Sequence, residues 1–102
     1  MYKIAVVDDD EIVRKGIVNY IKKSSHGLEV IGEEEDGVQA LELCRGNQPD
    51  IVITDVLMPR MNGIEFIKEL RKLYPEVRVI IVSGHDEFEY AQSAMQLDVK
   101  DY

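Results

Sequence analysis

Asp8, Asp9 and Asp55 are the residues of this chain whose type and spacing could do chemistry. The first two directly follow the apolar run Ile4-Ala5-Val6-Val7, and the third directly follows Ile51-Val52-Ile53-Thr54. A carboxylate held in line can act as a nucleophile toward phosphorus once the surrounding charge is neutralised. Carboxylates gathered in one pocket also repel: two unit charges ~4 Å apart cost about 1 kcal/mol even in water, and several times that near a protein surface. A hard divalent cation resolves such a cluster, and Mg²⁺ suits it, binding through one or two carboxylates plus waters and phosphate oxygens. The competing reading is that Asp8 to Glu11 charge and cap the N-terminus of the helix that follows. On that stretch alone both readings stand.

The elements that must position these acids are legible in the pattern. Ile4 to Val7 reads as a buried strand. From Asp10 to about Ser24, Val13, Ile17, Tyr20 and Ile21 recur at helical spacing. His26-Gly27 breaks that helix, and Leu28 to Gly32 reads as a second strand. Gly37 to about Arg45 puts Val38, Leu41 and Cys44 on one helical face, ended by Gly46 and Pro49. Ile51 to Thr54 is the third strand. Asn62 opens a helix with Glu65 three residues on, a capping-box pattern, and Ile67, Leu70 and Tyr74 carry its apolar stripe until Pro75. Val77 to Val82 is the fourth strand. Ser83-Gly84-His85 is a loop, and Asp86 with Glu89 offers another capped start for a helix carrying Phe88, Ala91, Ala94 and Met95. Val99 to Tyr102 looks like the opening of a fifth strand.

Strands alternating with helices at short spacing imply an α/β fold with a parallel sheet covered on both faces, and near-continuous apolar strands agree. Ligands of such sheets collect beyond the carboxyl ends of the strands. In the flavodoxin-like, doubly wound order 2-1-3-4-5, a known arrangement of this class, strands one and three are neighbours. Asp8, Asp9 and Asp55 would then share one pocket.

Composition bounds the rest. The chain has 102 residues, enough for one domain. Its net charge of -8 argues against a surface that wraps nucleic acid, and fits binding of cations or basic partners. The single cysteine, Cys44, reads as a small core residue and allows no internal disulfide, which points to a reducing compartment. No apolar run approaches membrane-spanning length, and the N-terminus has no signal-peptide core, so a cytoplasmic location is expected. His26 and His85 read as solvated turn residues, and no zinc-ligand spacing occurs. Lys22, Lys23, Arg71 and Lys72 read as solvated helix faces.

Val7-Asp8-Asp9-Asp10-Glu11 with Val13-Arg14, then Thr54-Asp55-Val56-Leu57-Met58-Pro59 with Met61-Asn62-Gly63, resembles the receiver domains of two-component response regulators. Val82-Ser83-Gly84 and Asp101-Tyr102 fit the same pattern. Gly84-His85-Asp86-Glu87-Phe88-Glu89-Tyr90-Ala91 is similar to receivers joined to arabinose-regulator-type helix-turn-helix output domains. The resemblance implies that Asp55 accepts a phosphoryl group from a sensor histidine kinase. It implies Mg²⁺ held directly by Asp9 and Asp55 and by the Leu57 carbonyl, with Asp8 acting through metal-bound water. Pro59 and Gly63 would shape the loop. Ser83 would supply the hydroxyl that reaches the phosphoryl group, and Tyr102 would be the switch aromatic. The expected partners are the kinase, an output domain (DNA-binding transcriptional control) in the parent chain, and a second copy in a homodimer.

One departure counts. The family carries a Lys near the end of the fifth strand, which by spacing would lie beyond Tyr102; Lys100 is too early for that role. The sequence therefore reads as a receiver, residues 1–102, with an incomplete fifth strand and no last helix. Such a piece is expected to expose the edge and apolar side of its fourth strand, and to self-associate or be much less stable than a version extended by the strand end and helix. Two rival functions compete with this reading. A haloacid-dehalogenase-type phosphohydrolase needs Asp-x-Asp-x-Thr after a strand, which neither Asp8 nor Asp55 begins. A receiver-like interaction module without phosphotransfer is disfavoured by the joint presence of Asp8, Asp9, Asp55 and Ser83.

Overall fold

A computed structural model describes residues 1–24 and 27–82. The elements are β1 (Tyr2–Val7), α1 (Glu11–Ser24), β2 (Leu28–Glu34), α2 (Gly37–Cys44), β3 (Ile51–Thr54), α3 (Gly63–Leu73) and β4 (Arg78–Ile81). The four strands form one parallel sheet in the order β2-β1-β3-β4, the expected flavodoxin-like order as far as the described residues run. The expected fifth strand and the helix carrying Phe88 to Met95 lie outside the described residues, as do His26 and His85.

Alternation along the strands builds two cores. Ala5 and Val7 of β1, Val52 of β3, and Val79 and Ile81 of β4 face α2 and α3. There they meet Ala40, Leu41, Cys44, Phe66, Ile67 and Leu70, all buried. Ile4 and Val6 face the other way, toward Val18 of α1, with Ile17, Ile21, Ile51 and Ile53 partly buried around them. Cys44 is buried in this core, as expected of a small core residue, and is a free thiol because the chain has one cysteine; burial pushes its thiol up to about 12.

Three sequence expectations need correction. On α1 half of the expected stripe holds, since Ile17 and Ile21 pack against the core, but Val13 (39%) and Tyr20 (63%) are exposed and Val18 is the fully buried residue. The inward row runs through Arg14, four residues before Val18. Arg14 can turn inward because its guanidinium donates to the Asp8 carbonyl (2.9 Å) and to Glu33 Oε1 (2.9 Å). On α2, Val38 is exposed, and Ala40 takes the core position beside Leu41 and Cys44. On α3, Arg71 is no solvated charge: it donates to the carbonyls of Pro75 and Val77 and so braces the turn into β4. Lys72 does sit on the surface, paired with Glu69.

Candidate metal and phosphoacceptor site

Sheet register creates the site. Val7 of β1 lies opposite Thr54 of β3, so the next residue on each strand, Asp8 and Asp55, emerge side by side. The Asp55 amide donates to the Val7 carbonyl (2.9 Å), and the Asp8 amide donates to the Glu34 carbonyl at the end of β2 (3.1 Å). One carboxylate oxygen from each of Asp8, Asp9 and Asp55 lies within 4.8 Å of the others, the one such acidic group among the described residues.

The capping duty that competed for these acids falls on Asp10. Its Oδ1 accepts from the amides of Ile12 (2.9 Å) and Val13 (3.2 Å), the first turn of α1. Asp8 instead accepts the Asp10 amide on Oδ1 (2.8 Å), which turns its carboxylate back toward the strand ends. Asp8 is 4% exposed. Burial pushes its carboxyl above the usual range; the Asp10 amide and Arg14 offset only part of that, against repulsion from Asp9 and Asp10. Asp9 is exposed and Asp55 half-buried, so the group opens to solvent on that side.

Asp55 is held by its neighbours in sequence. Its Oδ1 accepts from the Val56 amide (2.7 Å), and its carbonyl accepts from the buried Thr54 hydroxyl (2.9 Å). The loop beyond it closes through Gly63, whose amide donates to the Val56 carbonyl (2.7 Å). Any Cβ at Gly63 would stand 2.1 Å from the Asp55 carbonyl oxygen, so glycine is required for α3 to start there. Asn62 caps α3 in a reciprocal capping box with Glu65, as its spacing predicted. Leu57 lies in this loop with its side chain half exposed, while Val56 and Met58 on either side are buried and anchor it. Ser83 and Tyr102 lie outside the described residues.

The donor set fits a small hard cation. It consists of carboxylate oxygens at close spacing, the chemistry Mg²⁺ prefers, and it leaves an open side for waters or phosphate.

Sequence reasoning passed over one feature beside the site. Asp36, at the start of α2, and Arg60, in the loop after Asp55, form an ion pair at 2.7 Å. Their 24-residue separation gives no local signal; the only hint was Asp36 standing before Gly37 as a possible helix cap.

The family model described as response regulator receiver domain matches residues 4–102. The chain is 45% identical over 102 residues to the transcriptional regulatory protein YesN of Bacillus subtilis, covering all of this chain and 28% of that protein. It is 38% identical to the transcriptional regulatory protein HptR of Staphylococcus aureus, covering 100% of this chain and 40% of that one. The chain thus spans well under half the length of these relatives. Among solved structures it is similar to the receiver domain of AraT, a response regulator from Geobacillus stearothermophilus. That match has a TM-score of 0.88 at 38% identity and covers 99% of this chain and 78% of the other. No helix among the described residues is long and apolar enough to cross a membrane.

Proposed function

Because the chain belongs to the response regulator receiver domain family, we propose that its phosphoacceptor is Asp55, with Mg²⁺ held by Asp8, Asp9, Asp55 and the Leu57 carbonyl. The observation that carries this reading is the meeting of three carboxylates, from two strand ends 47 residues apart in sequence, within 4.8 Å. Such a group is costly without a cation and useful with one.

In the transfer, a carboxylate oxygen of Asp55 attacks the phosphorus of a phosphohistidine on a sensor kinase. A bond from that oxygen to phosphorus forms as the donor's P–N bond breaks, and the imidazole leaves with the electron pair. Bound Mg²⁺ supplies neutralisation of the charge on the phosphoryl oxygens. The Val56 amide orients the Asp55 carboxylate, and the Thr54 hydroxyl fixes its carbonyl. Asp9 and Asp55 would hold the cation, and Asp8, buried and held by the Asp10 amide, would add its charge to the same pocket. The product is a modified Asp55, so the domain is a switch and not a free-standing enzyme. In the same reading Ser83 supplies the hydroxyl that meets the phosphoryl group, and Tyr102 is the aromatic that follows it.

In the parent protein the domain would relay this change to a DNA-binding output domain in the cytoplasm, with homodimer formation as one means. Support comes from the relatives named transcriptional regulatory proteins, of which this chain matches 28% and 40%. A small-molecule phosphodonor with Mg²⁺, applied to the natural protein that carries this domain, is expected to add one phosphoryl group. Peptide mapping should find it on Asp55, and Asp55→Asn should abolish it. Label that survives that substitution, or maps elsewhere, overturns the assignment.

A further inference from the structure

Between the phosphoacceptor and α3 the chain makes a strained turn. Arg60 has a φ of 67°, in the left-handed region that a long side chain rarely adopts. The amide of Met61 reaches back to the carbonyl of Pro59 (2.8 Å), so Arg60 is the central residue of a tight three-residue turn. A backbone of this kind persists only where its surroundings hold it. Two contacts from the start of α2 do so. The Gly37 amide donates to the Met61 carbonyl (3.0 Å), and a Cβ on Gly37 would come within 2.3 Å of that oxygen, so only glycine permits the approach. Beside it, Arg60 donates to Asp36 Oδ2 through both Nε (3.1 Å) and a terminal nitrogen (2.7 Å).

Asp36 is itself fixed. Its side chain is 4% exposed, and its other oxygen caps α2 by accepting the Gln39 amide (2.8 Å). With its side-chain amide turned to satisfy both neighbours, Gln39 donates to Glu34 Oε1 (2.8 Å) and accepts from Arg60 (3.0 Å). The Glu34 carbonyl in turn accepts the Asp8 amide. One connected set of bonds therefore runs from the loop behind Asp55, through Arg60 and Asp36, to the strand end that carries Asp8.

We infer that the Asp36–Arg60 pair is a latch that positions the Asp55–Met61 loop, and through it the cation site. Arg60 is a positioning residue: it acts through the loop backbone and is assigned no contact with the cation. The inference rests on the proposed Mg²⁺ site.

Direct electrostatics and positioning make opposite predictions for Arg60. Loss of a positive charge beside an acidic pocket should tighten Mg²⁺ binding by Coulomb attraction alone. Loss of a latch should weaken it, and substitutions in the supporting shell of metal sites weaken binding by roughly tenfold or more. The variants are chosen to fold. Arg60→Gly removes the guanidinium while relieving the positive φ, and Asp36→Asn keeps a good helix cap while removing the charge pair. Mg²⁺ affinity is measured by calorimetric titration of the 102-residue chain, both single variants and the double, with urea melts on each to check folding. Each single variant is expected to bind Mg²⁺ about tenfold more weakly, with the double no weaker than the worse single, because both remove one latch. Arg60→Gly binding Mg²⁺ as tightly as the unchanged chain, or more tightly, overturns the latch. Fully additive losses overturn it as well. Failure of the unchanged chain to bind Mg²⁺ would instead overturn the reading of the site itself.

Discussion

Asp8→Asn should make the cation-free protein more stable, although it removes a residue of the proposed site. Asp8 is buried and shares its pocket with Asp9 and Asp55, one oxygen of each within 4.8 Å. At that distance a pair of unit charges repels by about 0.9 kcal/mol in water and about 3.5 kcal/mol at the effective dielectric of a protein surface. Asp9 is exposed and Asp55 half-exposed, so the water-like end applies. Loss of the two repulsions that involve Asp8 should then be worth about 2 kcal/mol, or a rise in Tm of roughly 10 °C for a domain this size. Little is lost in exchange, because the asparagine oxygen can still accept the Asp10 amide.

The pH dependence has a definite sign. Burial, with repulsion from Asp9 and Asp10, raises the Asp8 carboxyl above the ordinary aspartate value. Its favourable contribution is therefore complete below that ordinary value and is lost as pH rises through the raised one. The advantage of Asp8→Asn should be small in acid and grow through the upper carboxylate range to its full size at neutral pH. Mg²⁺ should work against it. A cation at a hundredfold excess over its Kd stabilises the unchanged protein by about 2.7 kcal/mol, enough to cancel or reverse the difference. Urea melts at low ionic strength, with chelator and then with Mg²⁺, across pH 4 to 7 as roughly the range over which carboxyls titrate, read all three effects. Asp8→Asn no more stable than the unchanged chain at pH 7 without Mg²⁺ would refute the premise that these carboxylates repel at a cost to the fold.

Two further substitutions separate site effects from fold effects. Gly63→Ala forces a Cβ to within 2.1 Å of the Asp55 carbonyl oxygen, so urea melts should show a loss of about 1–3 kcal/mol, and calorimetry a weaker Mg²⁺ site as Asp55 is displaced. Tyr74→Phe removes a hydroxyl that donates to the Cys44 carbonyl (2.9 Å) and accepts from the Gly46 amide (3.0 Å), joining the C-terminal ends of α2 and α3. It should cost about 1 kcal/mol in the same melts while leaving Mg²⁺ affinity unchanged, because it acts at the opposite end of the sheet from the acids.

The first, third and fourth strands were readable because each is short, largely apolar and stopped by an acid or a turn, whereas the second was read only to Gly32 and runs on through Glu33 and Glu34, which pair with Val6 and Val7 of β1. The three acids of the candidate site stood out for the same reason: parallel sheets present ligands at strand ends, and Asp8 and Asp55 each stand one residue past a strand. Their convergence needed the order of the strands, which came from resemblance and not from periodicity. The inward face of α1 was misread because apolar spacing counts only apolar residues. Arg14 belongs to that face, carried in by its bonds to Glu33 and the Asp8 carbonyl, which become available only when β1 and β2 pair. The Asp36–Arg60 pair was invisible for a related reason. It joins two turns 24 residues apart and depends on a left-handed Arg60, which no local preference favours.

The position of the acids relative to the core explains how the fold tolerates them. Val7 and Thr54, the last residues before Asp8 and Asp55, are buried, and Ala5 and Val52 behind them are fully so. A slip of one residue between β1 and β3 would turn every one of these side chains to the opposite face of the sheet. Core packing therefore fixes the register to a single value, and the register fixes the separation of the acids. Repulsion at the strand ends cannot relax by sliding the strands, because the relief of about 2 kcal/mol is smaller than the loss of burying several valine-sized groups, each worth roughly 1.5–3 kcal/mol. The electrostatic cost stays at the strand ends and in the loops that follow them, where a cation or a change of protonation can relieve it. In the proposed reading, a phosphoryl group on Asp55 would therefore act on the Asp55–Met61 loop while the sheet beneath keeps its register.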